Sequence, residues 1–310
     1  MRIVEAFLPF PNFDPVLVHI WGSFGIRWYA LAYIAGLLLG WWTVVQTLRK
    51  RSLWTGVPFR GKAPATEEEI GDLVVWTTLG VVLGGRLGWI LFYGTLYCGI
   101  WGAGQDWCSG LPLGFVTNPI RLLEIWKGGM SFHGGLIGVG LAIWFFCRKR
   151  KLDVFRIADL IATVTPIGLF FGRLANFVNG ELPGKIASVP WAVQFCSPHM
   201  REIYGTECPW GAAPRHPSQL YEAFLEGFLL FAILQICLRV FRLHERTGLI
   251  TALFFTLYGA ARFFVEFFRD SESKFVGWFS MGMALSIPMW AAALFFFWYA
   301  FRAPRAKAAA

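Results

Sequence analysis

The 310-residue sequence predicts an all-α integral membrane protein of seven transmembrane helices, N-terminus outside and C-terminus cytoplasmic, with a small extracytoplasmic cap. Three observations predict it. Hydrophobic residues make up 56% of the chain and charged residues only 15%, against about 25% charged in a soluble domain. Seven apolar windows, at about 26–47, 73–93, 130–147, 157–178, 219–238, 249–268 and 279–300, approach the ~20 helical residues that cross a hydrocarbon core. Long apolar runs are helices rather than barrel strands, because a lipid-facing backbone must satisfy its own hydrogen bonds. Lastly, Lys and Arg alternate in density between loops. One set (48–62, 148–156, 239–246 and the tail from 302) holds 16; the other (1–27, 94–128, 179–216, 269–278) holds 9 over far more residues. By the positive-inside rule the first set is cytoplasmic.

Taken in order, the N-terminal segment carries Pro9, Pro11, Asp14, Pro15 and His19 and lacks a basic n-region with a small-residue cleavage site. It reads as an amphipathic or interfacial segment ahead of the first span. The seven windows form one polytopic domain over 1–310, without repeats or low-complexity tracts beyond the terminal "RAKAAA". The long outer segments 94–128 and 179–216 are the material for the cap. Each holds a cysteine pair, Cys98 with Cys108 and Cys196 with Cys208. Outer-loop pairs suit disulfides in an oxidising compartment, with four unpaired thiols the alternative. Cys147 and Cys237 fall at cytoplasmic ends of spans, and no metal-binding cysteine or histidine motif is present. The net charge of +9 is juxtamembrane anchoring against anionic membrane lipid, not a nucleic-acid footprint.

Three arginines, Arg86, Arg173 and Arg262, lie inside windows, all in outer halves. A charge at mid-bilayer costs about 2.5–3.5 kcal/mol even on insertion scales, so it faces an interior or a watery cavity. Three planar forks of donors near one depth point to a shared anion, phosphate first. The alternative is local neutralisation, and Glu266 stands four residues after Arg262, at ion-pair spacing. His133 opens the third window among glycines. Gly allows close approach of backbones or ligand, and a His can carry a proton near neutral pH. Tyr258, Arg262 and Glu266 share one face of the sixth window, and Tyr29 opens the first; an aromatic belt would also use such tyrosines. Ser218, after Pro217, fits a helix N-cap.

The segments "GGRLGWILFY", "GGMSFHGGLIG", "GRLANFVNGELPG", "RHPSQLYE" and "YGAARFFVEFFR", in this order, resemble the prolipoprotein diacylglyceryl transferase family. The specific element is G-R-x-x-N-F-x-N-x-E-x-x-G, met by Gly172, Arg173, Asn176, Phe177, Asn179, Glu181 and Gly184. The resemblance implies seven spans and transfer of a diacylglyceryl group from phosphatidylglycerol to the lipobox cysteine of a prolipoprotein signal peptide, with no cofactor or metal. It also implies a bacterial inner-membrane location with the site on the extracytoplasmic face. The family's important positions fall on Tyr29, His133, Arg173, Asn176, Glu181, Gly184, Tyr258, Arg262 and Glu266.

For the chemistry, His133, Arg173, Arg262 and Tyr29 are the catalytic candidates. Arg86, Asn176, Asn179, Glu181, Gly184, Tyr258 and Glu266 are the substrate-binding candidates. A thiolate displacing a phosphate ester at carbon needs a stabilised leaving group and a deprotonated sulfur. Arginines serve the first need by preorganised electrostatics; His133 can take the thiol proton, or the arginine field alone can lower the thiol pKa. A transporter or binder of an anionic lipid or organic phosphate would also bury arginines, but calls for polar lining through the full depth, whereas the inner halves here are apolar. An intramembrane protease lacks its nucleophile setting: Ser131 near His133 is in no GxSxG context.

Overall fold

The computed structural model describes residues 7–14, 16–21, 24–92, 129–198, 200–201, 205, 207–270, 274–276 and 279–302. A helix occupies each of the seven windows. These are α1 (Trp28–Arg49), α2 (Glu67–Gly88, its last turn widening into a π-helix to Phe92), α3 (Phe132–Arg150) and α4 (Val154–Val178). They continue with α5 (Ser218–Arg239), α6 (Leu249–Val265) and α7 (Met281–Arg302). By length and apolarity five of them, α1, α2, α4, α5 and α7, can cross a membrane, while α6 is a shorter apolar helix. At 1.5 Å per residue the 17 residues of α6 extend about 26 Å.

The helix boundaries have local causes. Thr66 caps α2 in a reciprocal box, its hydroxyl accepting from Glu69 N while Glu69 accepts from Thr66 N, and Glu67, Glu68 and Glu69 sit in the first turn. Ser131 accepts from Gly134 N to cap α3. The expected Ser218 cap does not form. The N-cap is Pro217, and Ser218 is the first helical residue, its hydroxyl donating instead to Leu182 O at 3.2 Å. A preceding Pro holds the chain extended and needs no N–H, so the tertiary partner takes the hydroxyl. The middle of α5, Ala223–Leu229, is a π-helix.

The chain divides into two compact units, Pro64–Ile157 and the remainder. In Pro64–Ile157, α2 and α3 pack through glycines. A Cβ on Gly88 would stand 2.5 Å from Gly134 Cα, and one on Gly84 2.7 Å from Gly138 Cα. Gly80, Gly84 and Gly88 therefore form a spaced stripe facing Gly134 and Gly138, the close-approach use of small residues in membrane helices.

In the other unit α1 meets α4 at Gly36, where a Cβ would be 3.1 Å from Gly168 Cα. Asp159 of α4 caps α6 from a distance, accepting from Gly248 N at 2.6 Å and from Thr251 N at 2.8 Å. Among the described residues ahead of α1 the chain is extended rather than helical. β1 (Leu8–Pro9) pairs in parallel with the two-residue strand Val193–Gln194 of the 179–216 segment, while β2 (Val16–Trp21) and β3 (Phe24–Arg27) form an antiparallel hairpin. Phe10, Phe195, Val193 and Met200 make a small core with Phe177 and Trp210 packed against it, tying the N-terminal segment to the 179–216 segment. Cys196 and Cys208 are disulfide-bonded. Cys98, Cys108 and the 94–128 segment lie outside the described residues.

Candidate functional site

Arg173 on α4 and Arg262 on α6 come together around carboxylates of α5. Arg173 Nε lies 3.1 Å from Glu222 Oε2 and its Nη2 3.4 Å from Glu226 Oε2. Arg262 Nη1 donates to Glu222 Oε1 at 2.6 Å, and its Nη2 is 3.0 Å from Glu266 Oε2. Arg269 completes the set, 3.4 Å from Glu222 Oε1. Glu222 thus bridges three guanidiniums. The carboxylates are at most 2% exposed while the guanidiniums are 15–19% exposed, so the acids form the floor and the arginines the accessible face. Burial, then the charge of Arg262, holds the Arg269 guanidinium below its ordinary pKa, a sign of how crowded the positive charge is.

The sequence places an acid after each arginine differently. Glu266 is the expected helical partner of Arg262. Glu222 and Glu226 were not singled out: they belong to α5, their hydrogen-bonded guanidiniums stand 40 and 53 residues away, and no local spacing marks them. The available signal was the rarity of carboxylates inside apolar windows, which need cations as much as buried arginines need anions. Glu222 immediately precedes the π-helical stretch and Glu226 stands at its middle, a distortion frequent at functional sites. Gly227 beside Glu226 brings α5 onto α4, since a Cβ there would stand 2.6 Å from Phe170 Cβ.

After Arg173 the chain leaves α4 through the motif. Asn176 Nδ2 and Asn179 Nδ2 both donate to the Glu181 carboxylate, at 3.3 and 3.2 Å. Gln219 donates to Glu181 O at 2.5 Å. Gly180 and Leu182 take positive φ of 66° and 57°, so the turn folds tightly. Gly184 permits a backbone crossing: a Cβ there would be 2.5 Å from Phe268 O and 2.8 Å from His216 O. Arg215 ties this turn down, donating to Gly184 O and Trp210 O and pairing with Asp270 at 2.5 Å. His216 Nδ1 meets Tyr221 OH at 3.0 Å, and burial together with Lys185 lowers its pKa.

Tyrosines line the same cluster. Tyr258 is within electrostatic reach of Glu226, Arg173, Arg262 and Glu222. Tyr29 and Tyr33 meet on α1 with centroids 5.1 Å apart and ring planes tilted at 56°, and Tyr33 is within electrostatic reach of Arg173 and Glu181. Of the candidate residues, Tyr29, Arg173, Asn176, Asn179, Glu181, Gly184, Tyr258, Arg262 and Glu266 therefore belong to one unit. Arg86 and His133 belong to the other. Arg86 is buried, donates to Gly129 O at 3.1 Å and lies over the Trp89 ring at 5.1 Å. His133 is exposed in the first turn of α3.

Among the described residues no group of three or more His, Cys, Asp or Glu side chains is placed to hold a metal ion. What the arrangement offers is a partly exposed pair of guanidiniums, fixed from behind by buried carboxylates, which can bind and stabilise a phosphate.

Residues 15–299 match the family model described as prolipoprotein diacylglyceryl transferase. A phosphatidylglycerol–prolipoprotein diacylglyceryl transferase of Allorhizobium ampelinum is 44% identical over 306 residues, covering 97% of this chain and 95% of that protein. Relatives of the same name from Phenylobacterium zucineum and Rhodospirillum rubrum are 45% and 46% identical, covering 95% and 96% of this chain and 95% of each relative.

Proposed function

Because the chain belongs to the prolipoprotein diacylglyceryl transferase family, we propose that it transfers the sn-1,2-diacylglyceryl group of phosphatidylglycerol to the lipobox cysteine of a prolipoprotein. The sulfur forms a C–S bond as the glyceryl C–O bond to phosphate breaks; the electron pair leaves with glycerol 1-phosphate, and the thiol proton passes to a base. The observation that carries this reading is the pair Arg173 and Arg262, delivered by two helices onto the shared Glu222, with the guanidiniums partly exposed above it. Their forks grip the phosphate and stabilise the charge that grows on it as the bond breaks. His133 is the group we assign to the thiol proton, and Arg86, held by Gly129 and Trp89, supports its own helix turn. Tyr29, Tyr258, Asn176 and Asn179 shape the headgroup site, with Glu181 and Gly184 fixing the turn beside it.

In this reading the chain crosses the bacterial inner membrane seven times, N-terminus out, with the site at the extracytoplasmic surface. Both substrates are held in the membrane, so a site at headgroup depth extracts neither. The Lys and Arg bias of the loops and the disulfide in the 179–216 segment support this orientation.

The test uses purified protein in phosphatidylglycerol liposomes with a lipobox peptide, following glycerol phosphate release and peptide mass. Release that requires both the peptide thiol and Arg173 is expected. Folded protein that releases nothing across several lipids and peptides would return the chain to the class of anionic-lipid binders or transporters.

A further inference from the structure

The site is formally balanced before any ligand arrives: Arg173, Arg262 and Arg269 face Glu222, Glu226 and Glu266. A lipid phosphodiester is ionised throughout the physiological pH range. Seated against Arg173 and Arg262, it leaves the cluster with one surplus negative charge directly over buried carboxylates. A charge that cannot be hydrated or paired is relieved by protonation. We propose that Glu226 is a proton-linked counter-ion: arrival of the lipid phosphate draws a proton from water onto Glu226, so that phospholipid binding and Glu226 protonation are one coupled event. The inference rests on the transferase reading only in placing the phosphate at Arg173 and Arg262.

The geometry selects Glu226 among the three acids. Glu222 is held at 2.6, 3.1 and 3.4 Å by three guanidiniums, and Glu266 is held at 3.0 Å by Arg262. Glu226 reaches Arg173 only at 3.4 Å and Arg262 only at 3.9 Å. Its side chain is 0% exposed and Oε1 has no hydrogen-bond partner, a lack shared by Glu266 Oε2, so it is the longer ion-pair distances that set Glu226 apart. The groups facing it are Arg173 from α4, Glu222 on its own helix, and Arg262 and Tyr258 from α6. Glu226 therefore gives up least when it is neutralised. As a carboxylic acid it releases Arg173 to the phosphate and offers an O–H donor in place of a repelling charge. It is a positioning residue: it acts through Arg173, and its role is read in proton stoichiometry rather than in activity alone.

Isothermal titration of dihexanoyl-phosphatidylglycerol into the full chain in detergent, in buffers of different ionisation enthalpy, counts the protons. The native protein is expected to take up about one proton per lipid at alkaline pH, with affinity falling about tenfold per pH unit there. Glu226→Gln should bind with no proton uptake and a flat pH profile; Glu226→Asp should retain the uptake. Lipid binding that Arg173→Ala abolishes but that carries no proton in the native protein overturns the inference and leaves the transferase reading standing. So does an uptake that Glu226→Gln does not reduce. Binding that Arg173→Ala leaves unchanged removes the phosphate site and the inference together. Should the Gln variant not fold, the native and Asp titrations decide the matter.

Discussion

Arg173 uses Nε on Glu222 and Nη2 on Glu226, two directions from one planar group, and a lysine has a single point charge to offer. Arg173→Lys is therefore expected to lower kcat by roughly 10²–10³ while the protein stays folded, the loss typical of removing one preorganised donor; single-turnover transfer to a lipobox peptide checks it. Glu222 carries the opposite risk. Three guanidiniums share it at 1% exposure, so Glu222→Gln leaves buried positive charge uncompensated and should cost about 3–5 kcal/mol of stability, seen as a lowered unfolding temperature in detergent. A pH effect belongs to His244, in the loop between α5 and α6. Its Nε2 contacts Leu53 O at 2.8 Å, its ring stacks on Phe59, and burial lowers its pKa. Because the folded value is depressed, its contribution is full above the unfolded value of about 6.5 and is lost as pH falls through the folded one. Thermal unfolding from pH 7.5 to 5 should show the native protein losing stability more steeply than His244→Phe. Much of this residue scale was legible in advance. Arg262 with Glu266 announces itself by spacing; Glu222 and Glu226 do not, because their partners come from other helices and only the tertiary fold supplies the link.

The helices were legible as windows because apolarity over a membrane's thickness leaves the backbone no other choice. Their ends and irregularities were less so. The Ser218 cap failed because its hydroxyl found Leu182 O, a partner 36 residues away, and nothing local in the chain announces the π-helical turn that carries Glu226. Glycines were visible but ambiguous between ligand and backbone approach; the structure assigns Gly84, Gly88, Gly134 and Gly138 to helix contact. Gly282 in α7 shows how an element supports the site without touching substrate. A Cβ there would stand 2.6 Å from Glu266 Cδ, and Glu266 is buried and paired to Arg262. Gly282→Ala should therefore push Glu266 off Arg262, lowering transfer several-fold while far-ultraviolet dichroism stays helical. An equal loss of helix would mean that the residue matters to α7 itself.

On the scale of the whole molecule, the N-terminal segment and the 179–216 segment are where the chain departs from simple helices. In the unit that holds the arginines, the Cys196–Cys208 bond encloses a 12-residue separation that includes Met200. Met200 packs with Phe10 and Phe195 and sits against Gly180, at the turn that carries Glu181. Closing a loop of that length stabilises by about 3 kcal/mol on chain entropy, and what it stabilises is the segment beside the motif rather than the helices. The orientation that places this disulfide in an oxidising compartment has a direct test. Single cysteines introduced as Ala212→Cys in this segment and Lys62→Cys in the loop after α1 report opposite faces if the basic loops are cytoplasmic. A membrane-impermeant maleimide added to intact spheroplasts should label Ala212→Cys and spare Lys62→Cys until the membrane is opened. Mild reduction in the same preparation should then lower transfer activity before any helix unfolds, because the segment packed against Gly180 at the motif turn loosens first. Labelling of Lys62→Cys from outside would invert the chain, put the disulfide in a reducing compartment, and remove the argument for a site at the outer headgroups.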